Sequence, residues 1–154
     1  MKKLFVVFLA MVMALSLAAC GAGTSPETTK EITDVAVFEE TEADILDAVF
    51  FTTEDGTAAV RVNFKFTNNS ADGLYMFECF SVHAFQNNVE LNSITNINEE
   101  PDEGNSAELI REVKDGASTE GGYVFALSDD SEVEIRVCTP TADEILLAQK
   151  VFTR

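Results

Sequence analysis

Thr57-Ala58-Ala59-Val60-Arg61-Val62-Asn63-Phe64-Lys65-Phe66-Thr67 is the stretch that decides how this chain folds. Val60, Val62, Phe64 and Phe66 project to one side of an extended backbone, and Arg61, Asn63 and Lys65 project to the other. Period two with β-branched and aromatic residues on one face predicts an antiparallel strand with one face in the core and one in water. Just upstream, Glu54-Asp55-Gly56-Thr57 carries an Asp-Gly turn, which pairs the strand with residues 48–53 as a hairpin. Just downstream, Asn68-Asn69-Ser70-Ala71-Asp72-Gly73 is a turn cluster that ends it.

The same signals recur along the chain. Residues 74–86 predict a long strand, which Asn87-Asn88 turns back into residues 89–93. Residues 94–105 are polar and acidic, hold Pro101 and Gly104, and read as a long loop. Further strands are expected at 107–113, after which Lys114-Asp115-Gly116 turns the chain, and at 122–127. Val133, Ile135 and Val137 then alternate against Glu132, Glu134 and Arg136. Residues 145–152 close the series as a strand, although Ile145-Leu146-Leu147-Ala148 also suits one or two helical turns. Residues 40–47 are the one other stretch that could be helical. Some eight short strands with turn signals between them and no long helical pattern point to an all-β antiparallel sandwich of about seven to nine strands. Twelve Phe and no Trp suit a core whose buried rings need no N–H partner.

The N-terminal segment has a different character. Met1-Lys2-Lys3 is followed by sixteen uncharged, mostly apolar residues that end in Leu17-Ala18-Ala19-Cys20-Gly21. A positive start, an apolar middle and a small-residue exit make a secretory signal peptide. Sixteen residues reach about 24 Å as a helix, short of a hydrocarbon core of roughly 30 Å, and no positive cluster follows. Ordinary secretion after an Ala-x-Ala-like site is the other alternative, and the cysteine at the junction argues against it. Leu17-Ala18-Ala19-Cys20 resembles the lipobox of bacterial lipoproteins. That resemblance implies diacylglycerol on the Cys20 thiol, cleavage before it, and an anchor on the extracytoplasmic face of the cell membrane. The expected organisation is a signal peptide over residues 1–19, a lipid-anchored tether over 20–30, and one sandwich domain over 31–154.

Residues 1–19 hold two of the ten Lys and Arg and none of the 27 Asp and Glu, so the rest of the chain carries −19. No basic cluster exists to neutralise phosphates, which excludes nucleic acid as a partner. An anionic membrane surface repels such a domain within about 8 Å at physiological salt. The acidity itself is explained by solubility at an exposed location.

Three segments, taken in order, carry a family resemblance. Phe64-Lys65-Phe66-Thr67-Asn68-Asn69-Ser70 is the first, and Ala84-Phe85-Gln86-Asn87-Asn88-Val89-Glu90-Leu91 is the second. Lys114-Asp115-Gly116-Ala117-Ser118 ahead of Gly122-Tyr123-Val124-Phe125-Ala126-Leu127-Ser128-Asp129 is the third. Over roughly residues 45–138 the series resembles an uncharacterised immunoglobulin-like, telokin-like extracellular domain of bacterial lipoproteins, of the DUF5067/DUF4352 type. The resemblance implies an immunoglobulin-like β-sandwich on the cell surface and brings no catalytic residues with it. Lys-Asp-Gly stands here where that family usually has Lys-Pro-Gly.

The residues offer little chemistry of their own. His83 is the sole histidine, so any Ser–His or Cys–His arrangement must use it with Ser81 or Cys79. Same-face neighbours on a flat strand stand about 7 Å apart, too far for direct proton transfer. One histidine and two cysteines cannot supply zinc ligands without help from carboxylates. Glu99, Glu100, Asp102 and Glu103 form the densest acidic cluster, with Asp129-Asp130 second, and neither has the spacing of a calcium loop. No catalytic residue, metal site or cofactor is therefore expected. Past Cys20, an extracytoplasmic setting permits a disulfide between Cys79 and Cys138, both on predicted strands, and two unpaired thiols are the alternative.

The expected function is a non-enzymatic, lipid-anchored surface domain that binds or buttresses an envelope or surface protein. The acidic loop around Glu99, Glu100, Asp102 and Glu103 is the first candidate for its partner surface. A carboxylate-dependent hydrolase acting on envelope glycans, which needs paired acids in a cleft, and a calcium-responsive module are the alternatives.

Overall fold

In a computed structural model that describes residues 33–94 and 109–154, the alternating stretch becomes the central element of a sheet. The elements run β1 (Val35–Phe38), β2 (Thr41–Thr52), β3 (Ala58–Asn68), a one-turn helix α1 (Met76–Cys79), β4 (Ser81–Gln86) and β5 (Val89–Glu90). They continue with β6 (Ser93–Ile94), β7 (Ala117–Ala126), β8 (Val133–Cys138) and β9 (Leu146–Phe152). One sheet has the order β1-β2-β3-β7-β6 and the other β5-β4-β8-β9, and strand neighbours in both are antiparallel. The expected two-sheet antiparallel sandwich is what forms, with nine strands among the described residues.

The core is the inner face of each sheet. Val60, Val62, Phe64 and Phe66 are fully buried, as are Val133, Ile135 and Val137 from the opposite sheet. Burying one such side chain contributes about 1.5–3 kcal/mol. Phe66 meets Phe80 edge to face, with centroids 6.2 Å apart, and Phe64 meets Tyr123 in the same way at 5.7 Å. Such pairs add about 0.5–1.5 kcal/mol beyond their burial.

Residues 41–47 lie inside β2 and Glu40 in the turn before it, rather than in a helix. Thr41, Ala43 and Ile45 alternate inward, but the register then slips, and Leu46-Asp47 stand against Asn63 before Ala48 and Phe50 resume the inward face. This β-bulge shifts the apolar spacing from two to three, and a spacing of three imitates a helix in the sequence. Lys150, reaching across from β9, donates to the carbonyls of Ile45 at 2.8 Å and Leu46 at 2.7 Å, which the bulge turns away from the ladder.

The expected strand over 74–86 is two things. Leu74 makes a single bridge to Val113, α1 follows, and only then does β4 begin. An unbroken strand would bury Glu78 on the same face as Met76. One helical turn instead buries Met76 and Cys79 three residues apart and leaves Phe77 and Glu78 exposed, while the chain crosses between sheets. The expected strand over 89–93 is likewise divided, with β5 in one sheet and β6 in the other. At 107–113 the described part is a helical turn at Leu109-Ile110 and the lone Val113 bridge, not a strand. Residues 145–152 do form the closing strand, β9.

Buried amides hold the ends of the sandwich. Asn68 is fully buried, and its Nδ2 donates to the carbonyls of Asp72 (2.7 Å) and Val113 (2.8 Å). Its Oδ1 accepts from the Ser70 backbone N–H and hydroxyl. At another turn Gln86 donates to the carbonyls of Asp129 and Ser131 and accepts from the Ser128 N–H at 2.8 Å. Asn87 and Asn88 both have positive φ, 51° and 63°, which the tight β4–β5 turn requires and Asn tolerates. Asn63, Lys65 and Thr67 on the outward face of β3 are partly buried, but Arg61 is 2 % exposed, its stem lying over Gly122, where any Cβ would sit 2.7 Å from the Arg61 Cγ. Replacing Asn68 by Ala should lower stability by about 2–4 kcal/mol in urea unfolding, because it strands buried backbone partners. Asn69→Ala, one residue further and exposed, should stay within about 0.5 kcal/mol.

Candidate functional site

The outer face of the four-stranded sheet holds most of the chemistry that the described residues bring together. Its strands place Glu90, Phe85, Glu134 and Val151 side by side in register, with His83, Arg136 and Gln149 in the next row. The Arg136 guanidinium lies 4.6 Å above the centre of the Phe85 ring, and its Nε donates to Glu134 Oε1 at 2.5 Å. His83 is near the same ring, with centroids 6.4 Å apart.

His83 links two loops. Its Nδ1 is 2.7 Å from Glu90 Oε1, and a carboxylate only accepts, so Nδ1 carries the proton of that bond. Nε2 is buried and lies 3.3 Å from Glu144 Oε1, outside hydrogen-bond alignment. Glu144 reaches that position from the β8–β9 connection with φ at +38°. Thr139 closes this connection by bonding Ile145 through both its backbone N–H and its hydroxyl.

Above Phe85 a cleft of about 260 Å³ opens towards the turns. Phe85 and Val151 form its apolar side, Glu132 and Glu134 its acidic side, and Asn87, Asn88 and Ser131 its rim. The rim is braced. Asn87 Nδ2 donates to Asp129 Oδ2 at 2.8 Å, and Asp129 Oδ1 accepts from the Ser131 N–H at 2.8 Å. These bonds, from Ser131 first and Asn87 last, hold the Asp129 carboxyl below its usual range. That contribution is present above the ordinary aspartate pKa of about 3.9 and is lost as pH falls below it, so strong acid loosens the rim.

The two cysteines are free and buried, Cys79 within the hydrophobic core cluster and Cys138 outside it. Cys79 is in α1, not on a strand, and packs in the core with a hydrogen bond to Thr41 of the facing sheet. Cys138 ends β8, where Arg136 and Glu144 are the charges it feels. Both thiols are unpaired in this structure. Burial pushes both thiols up, and the Glu144 charge pushes Cys138 further. Activation of a nucleophilic thiol requires the opposite. Ser81 and His83 share the outer face of β4, while Cys79 is not aligned with them.

Cys20 and the acidic residues Glu99, Glu100, Asp102 and Glu103 lie outside the described residues. The second acidic cluster is committed to protein partners, Asp129 as above and Asp130 to Arg154 at 2.7 Å. Among the described residues no group of three or more His, Cys, Asp or Glu is arranged to hold a metal ion. Sequence reasoning missed the Phe85–Arg136–Glu134 group. The outward alternation of Glu134 and Arg136, set against a strand ending at Asn87-Asn88, was the signal that could have found it.

Residues 22–138 match the family model described as a domain of unknown function, DUF5067. The chain belongs to the DUF5067 family. No curated protein sequence matches it. Two solved structures share the fold of this DUF5067 chain, each described as a "putative lipoprotein". The first, from Staphylococcus aureus subsp. aureus NCTC 8325, has a TM-score of 0.63 at 16 % identity, covering 80 % of this chain and 90 % of that one. The second, from Bacillus subtilis, has a TM-score of 0.52 at 13 % identity, covering 79 % of this chain and 38 % of that one.

The thiol environment of the DUF5067 chain gives a direct test. Because both thiol pKa values are raised, the thiolate fraction at neutral pH falls below that of an exposed cysteine. A colorimetric disulfide reagent at pH 7 should leave Cys79 and Cys138 unmodified in the folded protein, react faster as pH rises, and titrate both at once in denaturant.

Proposed function

We propose that this protein is a lipid-anchored domain on the extracytoplasmic face of a cell membrane, acting by binding an envelope or surface protein and not by catalysis. The observation that carries the reading is the agreement of two independent features. The Leu17-Ala18-Ala19-Cys20 junction supplies a thiol for diacylglycerol, and the fold is shared with two proteins whose descriptions name lipoproteins. Residues 1–19 act as the signal, residues 20–30 as a tether of roughly 33 Å when extended, and the rest as the displayed domain. Two or more acyl chains hold such a domain stably, since each buried CH2 contributes about 0.8 kcal/mol. Its −19 charge keeps it from lying flat on anionic headgroups. The raised thiols and the committed carboxylates of Asp129 and Asp130 support a binding role over a chemical one.

A second reading, a carboxylate-dependent hydrolase, is favoured by one observation only, that Glu132 and Glu134 both line the cleft. Glu134 is held by Arg136, which leaves Glu132 as the one uncommitted acid there. Hydrolysis of purified envelope glycan that disappears in Glu132→Gln would favour this second reading.

Growth with radiolabelled palmitate tests the anchor. The unaltered protein should take up label and fractionate with membranes. Cys20→Ser should carry no label and appear in the soluble fraction. Equal membrane retention of both forms would refute the anchor.

A further inference from the structure

We propose that the cleft beside Phe85 receives one basic side chain, a lysine ammonium or an arginine guanidinium, presented by a partner protein. The chemistry of the walls carries this. The cleft is lined by two carboxylates and by no Lys or Arg; Arg136 holds Glu134 from beside it, so the carboxylate that attracts an entering cation is Glu132. Phe85 and Val151 offer aromatic and aliphatic surface to the methylene stem that precedes either charge. A volume of about 260 Å³ accommodates a single long side chain and not a folded element.

The molecule contains its own precedent. Arg136 already places a guanidinium over the Phe85 ring at 4.6 Å while its Nε bonds Glu134 at 2.5 Å. The ring and the carboxylate therefore suit this type of ion, and the cleft sets a further carboxylate, Glu132, beside the same ring. The site is also built before anything arrives. Gln86, 3 % exposed, ties the chain beneath the rim to residues 128–131, and Asn87 ties the rim itself to Asp129 and Ser131. Little ordering is then left for binding to impose. The charge of −19 on residues 20–154 steers a basic partner towards the whole domain, while the cleft decides where its side chain seats.

This goes beyond the surface-display reading and is tested apart from it, with no membrane partition involved. The full chain, in an uncharged detergent, is titrated with a blocked Gly-Ser peptide carrying one central arginine and followed by amide NMR. Shifts should cluster at residues 85–88 and 131–134 and at Val151. Glu132→Gln and Phe85→Leu should each weaken binding about two- to fivefold, the scale of one exposed charge pair or one cation–π contact. A citrulline peptide, with the same shape and no charge, should not bind. Glu120→Gln removes one exposed charge from the other sheet and should leave affinity unchanged. Shifts scattered over both sheets, equal losses in Glu120→Gln and Glu132→Gln, or binding of the citrulline peptide would overturn the assignment. So would free arginine displacing the peptide at a lower concentration than the peptide itself needs, since the cleft would then serve a small molecule.

Discussion

Two sheets can share only one dry face, and that constraint organises everything else in this protein. The inner face is met by β-branched residues and phenylalanines, which carry no polar atoms beyond the backbone. At the ends and edges, however, strands stop and backbone groups lose their ladder partners, and each must be bonded again. Asn68, Gln86 and Lys150 do that work from within the fold, with at least two contacts each to main-chain atoms of other segments. A fully engaged amide rigidifies where a half-engaged one would destabilise. The stability of the sandwich therefore rests on its apolar centre, and its shape rests on a few polar side chains at the margins.

That division also explains what a reader of the sequence could see. Period two survives wherever a strand is regular, so β3 and β8 were legible from Val60–Phe66 and Val133–Val137, while the closing apolar run that forms β9 suited a strand or one or two helical turns. It fails wherever geometry departs from regularity. The bulge at Leu46-Asp47 makes a strand look helical, and α1 hides a helical turn inside a run that alternates acceptably. Neither irregularity has a local signature, because each is imposed by the need to cross between sheets or to absorb twist. The Asn68 and Gln86 segments belong to the motifs that carried the family resemblance. Their role as braces became visible only when the chain brought Val113, Asp129 and Ser131 beside them.

The candidate site was less legible than the fold, for a related reason. Its members come from β4, β5, β8, β9 and two connections, and the contacts of His83 with Glu90 and Glu144 and of Arg136 with Phe85 join residues distant in sequence. Strand register created the arrangement. A count of 27 acids says only that the surface is negative. Register says which carboxylates face an aromatic ring, which are held by a cation, and which stay available.

Thr33 bridges β9 in one sheet while Val35 onwards pairs with β2 in the other, so the first described strand stitches the two layers together along one edge. Any pull arriving from the N-terminal side enters the fold at this seam. It is borne along the strand direction by hydrogen bonds to both layers, loaded together and not peeled one by one. A load applied at Thr33 is thus shared between the two sheets and not carried by one alone.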